Sequence, residues 1–400
     1  MKILHTSDWH IGSTFYGKKR NEEYAAFFAW LLALIQKEQI DVLLIAGDIF
    51  DTALPNNSAQ HLYYSFLIDL RGTSCKHVVI TGGNHDSPSF LNAPQALLKS
   101  LNIHVIGAMP ENIHDEIIPI RHNGEEIIIL AVPYLRERDL QGIAITENYE
   151  TRAEKIVRSI AEHYKNLTEI ALKQKQANSP LLAMGHLYIA GSKLEEEGER
   201  ELYIGSLARI SADIFPKEID YAALGHIHSA QKIAKTEHIR YSGSPLAMSF
   251  AEKSNKKKML VLDTKNSLSV QEIEIPEFQI TRKICGNFSA IRQEIEKLKA
   301  LDQSVWLEIE YNGEDKFNLK DMLFALTADS KIEILKFKNQ NIIDYYINDT
   351  LSEENLEDLD PQKIFDRILE KTSYPDEEKQ ELLACYHEIL TALAEKDINE

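Results

Sequence analysis

From the first residue to about residue 275, short runs of Val, Ile, Leu and Ala alternate with stretches whose apolar residues fall at helical spacing. Lys2–Thr6, Asp41–Ala46, His77–Thr81, Ile127–Val132, Leu181–Met184 and Tyr221–Leu224 read as strands, with Asn21–Glu38 and Asn56–Leu70 as helices between them. Unbroken apolar runs imply strands covered on both faces, so the pattern predicts a layered α/β structure flanked by helices. Residues 276–343 change character. They read as strand Phe278–Cys285, helix Phe288–Ala300, strand Val305–Tyr311, helix Leu319–Ala328 and strand Ile332–Phe337, a small second α+β module. Residues 344–360 are polar and acidic without a period, as a linker would be. Residues 361–400 open on Asp360-Pro361, a helix start, and place Ile364, Phe365, Ile368 and Leu369 on one face. Leu382, Leu383, Tyr386, Leu390 and Leu393 share a face of a following helix. A two-helix unit cannot bury those faces alone, so it must dock, either on its own chain or on a partner.

The segments just after the strands carry the chemistry. The first strand runs into Asp8-Trp9-His10, the second into Gly47-Asp48-Ile49-Phe50-Asp51 and the third into Gly83-Asn84-His85-Asp86. Later strands run into Gly185-His186 and Gly225-His226-Ile227-His228, and then comes Tyr241-Ser242-Gly243-Ser244. Singly, each reads as well as a surface turn, a capped histidine or a Gly-Asn turn. Five strand ends bearing them together do not, because open α/β sheets gather their ligands beyond the carboxyl ends of the strands.

Asp8, His10, Asp48, Asn84, His186, His226 and His228 form an oxygen and nitrogen donor set without thiolate, suited to Mn, Fe or Zn. Seven donors exceed the needs of one ion but fit two that share a carboxylate. Two such ions clamp a phosphoryl group for in-line attack by an activated water. His85 stands beside the donors, placed to give a proton to the leaving oxygen, and Asp86 is the neighbour expected to fix its tautomer.

Composition excludes several classes. No run of about 18 uncharged apolar residues appears, and the N-terminus lacks a signal-peptide pattern, so neither a membrane span nor export is expected. Cys75, Cys285 and Cys385 are too scattered for a disulfide framework, and a cytoplasmic setting follows.

In this order and spacing the motifs resemble the calcineurin-like metallophosphoesterases, and over nearly the full length the chain is similar to the nuclease-subunit family of bacterial SbcCD complexes. Thr6–Gly12, Leu202–Gly205, Leu224–His228, Tyr241–Pro245 and Trp306–Glu310 carry that likeness. It implies a four-layer core of two β-sheets flanked by helices over residues 1–275, a DNA-capping α+β domain at 276–343 and, after the linker, a helix pair gripping the coiled coil of an SbcC-type ATPase. It places Asp8, His10, Asp48 and His228 on one Mn²⁺ and Asp48, Asn84, His186 and His226 on the other, with Mg²⁺ or another divalent ion as a substitute, and makes His85 the catalytic histidine. It implies ATP use through the partner, double-strand exonuclease and single-strand or hairpin endonuclease action at DNA ends in repair, recombination and replication, a homodimer inside a heterotetramer, and residence near the nucleoid.

Candidate DNA contacts are Tyr16, Lys18, Lys19 and Arg20, just after the first motif, with Lys256-Lys257-Lys258 as a second cluster. Short Lys runs more often cap solvated faces. A phosphodiesterase acting on a nucleotide or small phosphoester has the same clamp, but the 125 residues after 275 argue against it. A DNA-end scaffold with a decayed site would not keep every donor. The formal charge of −18 argues at first against a nucleic-acid partner, yet residues 344–400 alone contribute −12 and residues 1–275 only −5. The acidity lies away from the chemistry, so it excludes nothing about DNA, although it predicts weak binding when the chain acts alone.

Overall fold

A computed structural model describes residues 1–140, 149–190, 192, 210–254, 256–265, 267–313 and 319–339, with Lys379, Leu382, Leu383 and Tyr386 as separate helical positions. The expected linker, most of the C-terminal helix pair and the acidic segment Glu195–Glu201 lie outside the described residues.

The strands are β1 (Lys2–Thr6), β2 (Thr14–Phe15), β3 (Lys18–Lys19), β4 (Val42–Ala46), β5 (His77–Thr81), β6 (Ile103–Ile106), β7 (Ile117–His122), β8 (Glu125–Ala131), β9 (Leu181–His186), β10 (Tyr221–Gly225), β11 (Gln231–Lys232), β12 (Ile239–Tyr241), β13 (Lys258–Asp263), β14 (Ser269–Glu274), β15 (Ile280–Gly286), β16 (Val305–Tyr311) and β17 (Ile332–Asn339). The helices are α1 (Asn21–Glu38), α2 (Asn57–Asp69), α3 (Pro88–Asn92), α4 (Gln95–Lys99), α5 (Tyr149–Gln174), α6 (Phe288–Lys299) and α7 (Leu319–Thr327). All six apolar runs read as strands are strands. The β7–β8 hairpin, the β13–β14 pair and the long α5 were not expected from the pattern.

Two six-stranded sheets form the first unit, in the orders β14-β13-β1-β4-β5-β6 and β11-β12-β10-β9-β8-β7. Within the first, β1, β4, β5 and β6 are parallel; within the second, β8, β9, β10 and β12 are. Ile3, Val42, Leu44 and Val79 of one sheet pack against Ile127, Ile129, Leu182 and Ala223 of the other, which is why these strands are apolar on both faces. The outer face of the first sheet is covered by α1 and α2 through Phe27, Leu31, Tyr63 and Phe66, and that of the second by α5 through Ile160, Tyr164 and Leu167. The result is the four-layer α/β arrangement that the resemblance implied. With parallel strands in both sheets, the carboxyl ends of β1, β4, β5, β9 and β10 deliver their loops to one rim.

The chain divides into two compact units, Met1–Lys283 with Gln303–Leu307, and Ile284–Asp302 with the residues from Glu308 on. The first therefore runs past the expected limit of residue 275. Phe278 lies edge-on to Phe27 and Trp30, and Trp306 stacks on Phe15 at 5.6 Å, which ties both segments to the first core. In the second unit α6 is capped by Asn287, whose side chain accepts from the Ala290 amide at 3.0 Å, and it buries Ile291 and Ile295. The strands β15, β16 and β17 order as one sheet, with Lys336 and Lys338 paired to the buried Glu308.

Candidate metal centre

The loop after β1 is fixed from behind by Trp9. Its ring is fully buried, edge-on to Phe27, Phe28 and Phe66 at 5.2–6.0 Å, and its Nε1 donates to Thr6 Oγ1 at 2.9 Å. Pinning Trp9 inward turns its neighbours Asp8 and His10 toward the rim. Asp8, His10 and Asp48 hold left-handed backbone, with φ of 53°, 46° and 50°, and His226 sits at 99°. Such conformations cost about 1–3 kcal/mol each in non-glycine residues and persist only where the surroundings impose them. Gly47 (φ 84°) and Gly83 let the two strand ends close up: a Cβ on Gly83 would lie 2.1 Å from Asp48 Oδ1, and one on Gly47 2.2 Å from His186 Nδ1.

The expected donors come together as two overlapping groups, Asp8 with His10 and His228, and Asp8 with Asp48 and His186. His10 Nε2 and His228 Nε2 are 3.2 Å apart, and His10 Nε2 lies 3.7 Å from Asp48 Oδ2. His186 Nε2 lies 3.2 Å from Asp48 Oδ2 and 2.9 Å from Asn84 Oδ1, while His226 Nδ1 lies 3.0 Å from the same Asn84 oxygen. The His226 amide donates to Asp8 Oδ1 at 2.9 Å, which orients that carboxylate.

Protonation logic tests whether a cation suits this cluster. His186 Nδ1 faces the Ala46 carbonyl at 2.9 Å, and a carbonyl only accepts, so the ring proton belongs there. Nε2 is then left among the acceptors Asp48 Oδ2 and Asn84 Oδ1, an arrangement that demands positive charge at its centre. Without an ion a proton must supply it: burial would lower the His186 pKa, yet the charge and hydrogen bond of Asp48 raise it to about 9. Burial likewise would raise the Asp48 carboxyl, but His186, His10 and His85 hold it well below the usual range. Burial, reinforced by His186, pushes His226 down to about 3, keeping that ring neutral as a ligand must be. The residues fit divalent cations.

The group that holds the His85 ring differs from the expectation. His85 Nδ1, which must carry the ring proton there, donates to the backbone carbonyl of Asp51 at 2.9 Å, and its Nε2 is buried with no hydrogen-bond partner among the described residues. Its ring is edge-on to His10 at 4.9 Å. Asp86 does not fix the tautomer. Its carboxylate points away and accepts three backbone amides, Ile49 (3.1 Å), Phe50 (3.0 Å) and Gly83 (2.9 Å), tying the second strand-end loop to the third. Three fixed donors in a buried pocket capture a carboxylate more firmly than one imidazole N–H could.

The candidate DNA contacts divide. Tyr16 and Gly17, at φ 47° and 84°, form the two-residue turn of the β2–β3 hairpin, where Tyr16 is 37% exposed and stacks on Phe250 at 4.9 Å. Lys18 is half-buried and Lys19 exposed. Arg20 is a correction: it is 3% exposed, bonded to Glu23 at 2.7 Å and packed against the rings of Phe15 and Tyr24, so it braces the hairpin and offers no DNA contact. The second Lys cluster is structural. Lys256 pairs with Glu274, Lys258 with Glu272, and Lys257 is turned inward onto Glu252, Ser244 and the His228 carbonyl.

Sequence reasoning missed the groups behind the donors. Glu252 is 4% exposed, with Oε1 3.8 Å from His228 Nδ1; burial would raise its carboxyl, but Lys257 and His228 hold it down to about 2. Arg136 Nη2 donates to the Asp86 carbonyl at 3.1 Å. The available signal was an acidic residue and a lysine just beyond Tyr241–Pro245, too common a pattern to single out.

Among the described residues no helix is long and apolar enough to cross a membrane. A calcineurin-like phosphoesterase profile matches residues 1–230, and a type 5 capsule protein repressor C-terminal domain profile matches residues 277–373. The chain is 32% identical over 400 residues to the SbcD subunit of the nuclease SbcCD from Escherichia coli, covering 98% of this chain and 99% of that one. Identity to the protein of the same name is 35% in Rhodobacter capsulatus, with 69% of each chain covered, and 31% in Bacillus subtilis, with 80% and 82% covered. With the layered fold and its buried carboxylate–histidine rim, these likenesses show that the chain belongs to the calcineurin-like phosphoesterases and, within them, to the SbcD family, as a metal-dependent phosphodiester hydrolase.

Proposed function

We propose that the chain is the Mn²⁺-dependent nuclease subunit of an SbcCD-type complex, cleaving duplex ends as an exonuclease and single strands or hairpins as an endonuclease. The observation that carries this reading is the convergence of seven donors on one rim beside His85 Nε2, which is buried without a hydrogen-bond partner among the described residues. Asp8, His10, Asp48 and His228 would hold one ion and Asp48, Asn84, His186 and His226 the other, with Asp48 shared. When bound, the pair would polarise the phosphoryl group and activate the attacking water.

The chain's own residues supply the rest. Trp9 and Asp86 fix the loops, so that the donors are in place before substrate arrives. The Asp51 carbonyl holds the Nδ1–H of His85, so that a proton carried at Nε2 faces the leaving oxygen. Tyr16, Lys18 and Lys19 would meet the DNA, the ring by stacking and the ammonium groups at phosphates. The SbcC-type partner would supply ATP-driven access to duplex ends, and a homodimer within a heterotetramer would present two such sites.

The test is release of label from end-labelled linear duplex, with Mn²⁺, with and without the ATPase partner and ATP. Partner- and ATP-dependent degradation is the expected result. Cleavage of bis(p-nitrophenyl) phosphate with intact duplex under every condition would overturn the nuclease reading and leave only the hydrolase.

A further inference from the structure

Each histidine of a two-ion site has a ligating nitrogen and a back nitrogen, and in this rim the backs differ. His10 presents Nε2 to the cluster and has Nδ1 3.5 Å from Asp51 Oδ1, a charge contact without a hydrogen bond, since that nitrogen has no hydrogen-bond partner among the described residues. His228 also presents Nε2 and has Nδ1 3.8 Å from Glu252 Oε1. On the other side, His186 has the neutral Ala46 carbonyl behind it, and His226 turns Nδ1 inward to Asn84. Carboxylates therefore stand behind both histidines of one group, whereas a peptide carbonyl stands behind His186.

Glu252 is held as a dedicated part. It accepts from the Met248 amide at 3.1 Å and pairs with the Lys257 ammonium, which also donates to Ser244 Oγ at 2.8 Å and to the His228 carbonyl at 3.1 Å. One buried ion pair thus grips His228 at ring and backbone together, which explains why a lysine in the 256–258 run faces inward. A carboxylate behind an imidazole fixes its ring orientation and raises its basicity toward a cation.

We infer that the two cation positions are unequal, and that Glu252 and Asp51, acting as positioning residues through His228 and His10, make the Asp8–His10–His228 position the tighter one and the first to fill. The inference rests on the two-ion reading above. Lys257 offsets part of the Glu252 charge, so alignment of the ring accounts for more of the Glu252 effect than bare attraction does.

The experiment is titration of the metal-stripped full chain with Mn²⁺, counting free ion by its paramagnetic resonance signal, on the wild type, Glu252→Gln and Asp51→Asn. The wild type binds two equivalents in separate steps. Each variant weakens the tighter step by roughly 10–100-fold and leaves the weaker step unchanged. A general loss of fold would lower both steps and the thermal midpoint together. Asp51 keeps a third of its side-chain surface exposed, so Asp51→Asn carries the test even if Glu252→Gln fails to fold. Variants that weaken both steps equally, or neither, overturn the inference while the two-ion reading stands. A wild type that binds a single equivalent overturns both.

Discussion

The second and third strand-end loops each carry a buried aspartate, and the two do opposite work. Asp48, after β4, is 2% exposed and surrounded by ring nitrogens of His10 and His186. Asp86, after β5, is equally buried and surrounded by three backbone amides. Those surroundings shift the two carboxyls in opposite directions. The histidines overcome burial at Asp48 and hold it low, whereas burial and then the nearby Asp48 charge raise Asp86 in spite of its three hydrogen bonds. The aspartate adjacent in sequence to His85 spends its carboxylate on backbone amides of Ile49, Phe50 and Gly83, while Asp48, remote in sequence, accepts from the His85 amide at 3.0 Å. A carboxylate's role follows from which donors close around it, and chain neighbours do not decide that.

The largest break of this comparison is at Asp48. Asp48→Asn removes the shared charge, and Mn²⁺ binding and hydrolysis should fall together, the rate by roughly 10³-fold or more, as expected for several kcal/mol of lost charge stabilisation. Two equivalents of Mn²⁺ still bound at wild-type affinity would show that Asp48 is not the ligand Asp86 fails to be.

His85→Gln comes next. Loss of a proton donor lowers kcat by roughly 10²–10⁴-fold while Mn²⁺ binding at the Asp8–Asp48–His186 group is retained, because His85 clusters with His10 and Asp51 instead. Unchanged turnover on duplex DNA would remove its role. The contrast with Asp48→Asn lies in the metal titration, where the two variants should differ completely.

Asp86→Ala moves stability more than chemistry. It strands three buried amides at about 1–3 kcal/mol each, so the protein should lose about 3 kcal/mol or more in urea denaturation. If Asp86→Ala kept wild-type stability and lost only activity, the backbone-holding role would be wrong and the comparison with Asp48 would collapse.

The smallest effect belongs to His5, a buried polar group that, like Asp86, serves the fold. It contacts the Tyr221 hydroxyl at 2.9 Å and the Leu224 carbonyl at 3.2 Å, and burial lowers its pKa to about 3. The unfolded chain takes up a proton at its ordinary value near 6.5 while the folded chain refuses it down to about 3. Stability is therefore full above pH 6.5 and declines as pH falls below it, at most by about 1.4 kcal/mol per unit from this group. Denaturation at pH 7.5 and 5.5 should show a shallower decline for His5→Gln than for the wild type. Equal slopes would show that His5 is not buried neutral.

The fold was legible where a strand's whole environment is written in its own residues. β4 and β9 are covered on both faces, so Val42–Ala46 and Leu181–Met184 are unbroken apolar runs. β7 was illegible because its pattern is mixed, with exposed Pro119 and Arg121 following buried Ile118 and Ile120 at the edge of a sheet. The convergence of these residues was legible because Asp, His and Asn recur at the ends of five strands, and parallel strands bring those ends to one rim. Arg20 and Lys257 were not: a cation's sequence context says nothing about whether Glu23 or Glu252 lies within reach, and in both cases burial against a carboxylate turned an apparent surface charge into an internal brace.

The sequence by itself determined the α/β class, the rim at the strand ends and the donor chemistry, because periodicity and residue type are local properties that survive without coordinates. Tertiary structure decided which groups stand behind the donors: the Asp51 carbonyl behind His85, Ala46 behind His186 and Glu252 behind His228. Those partners are 34, 140 and 24 positions away along the chain, and a hydrogen bond depends on ångström-scale placement that only the packed layers fix.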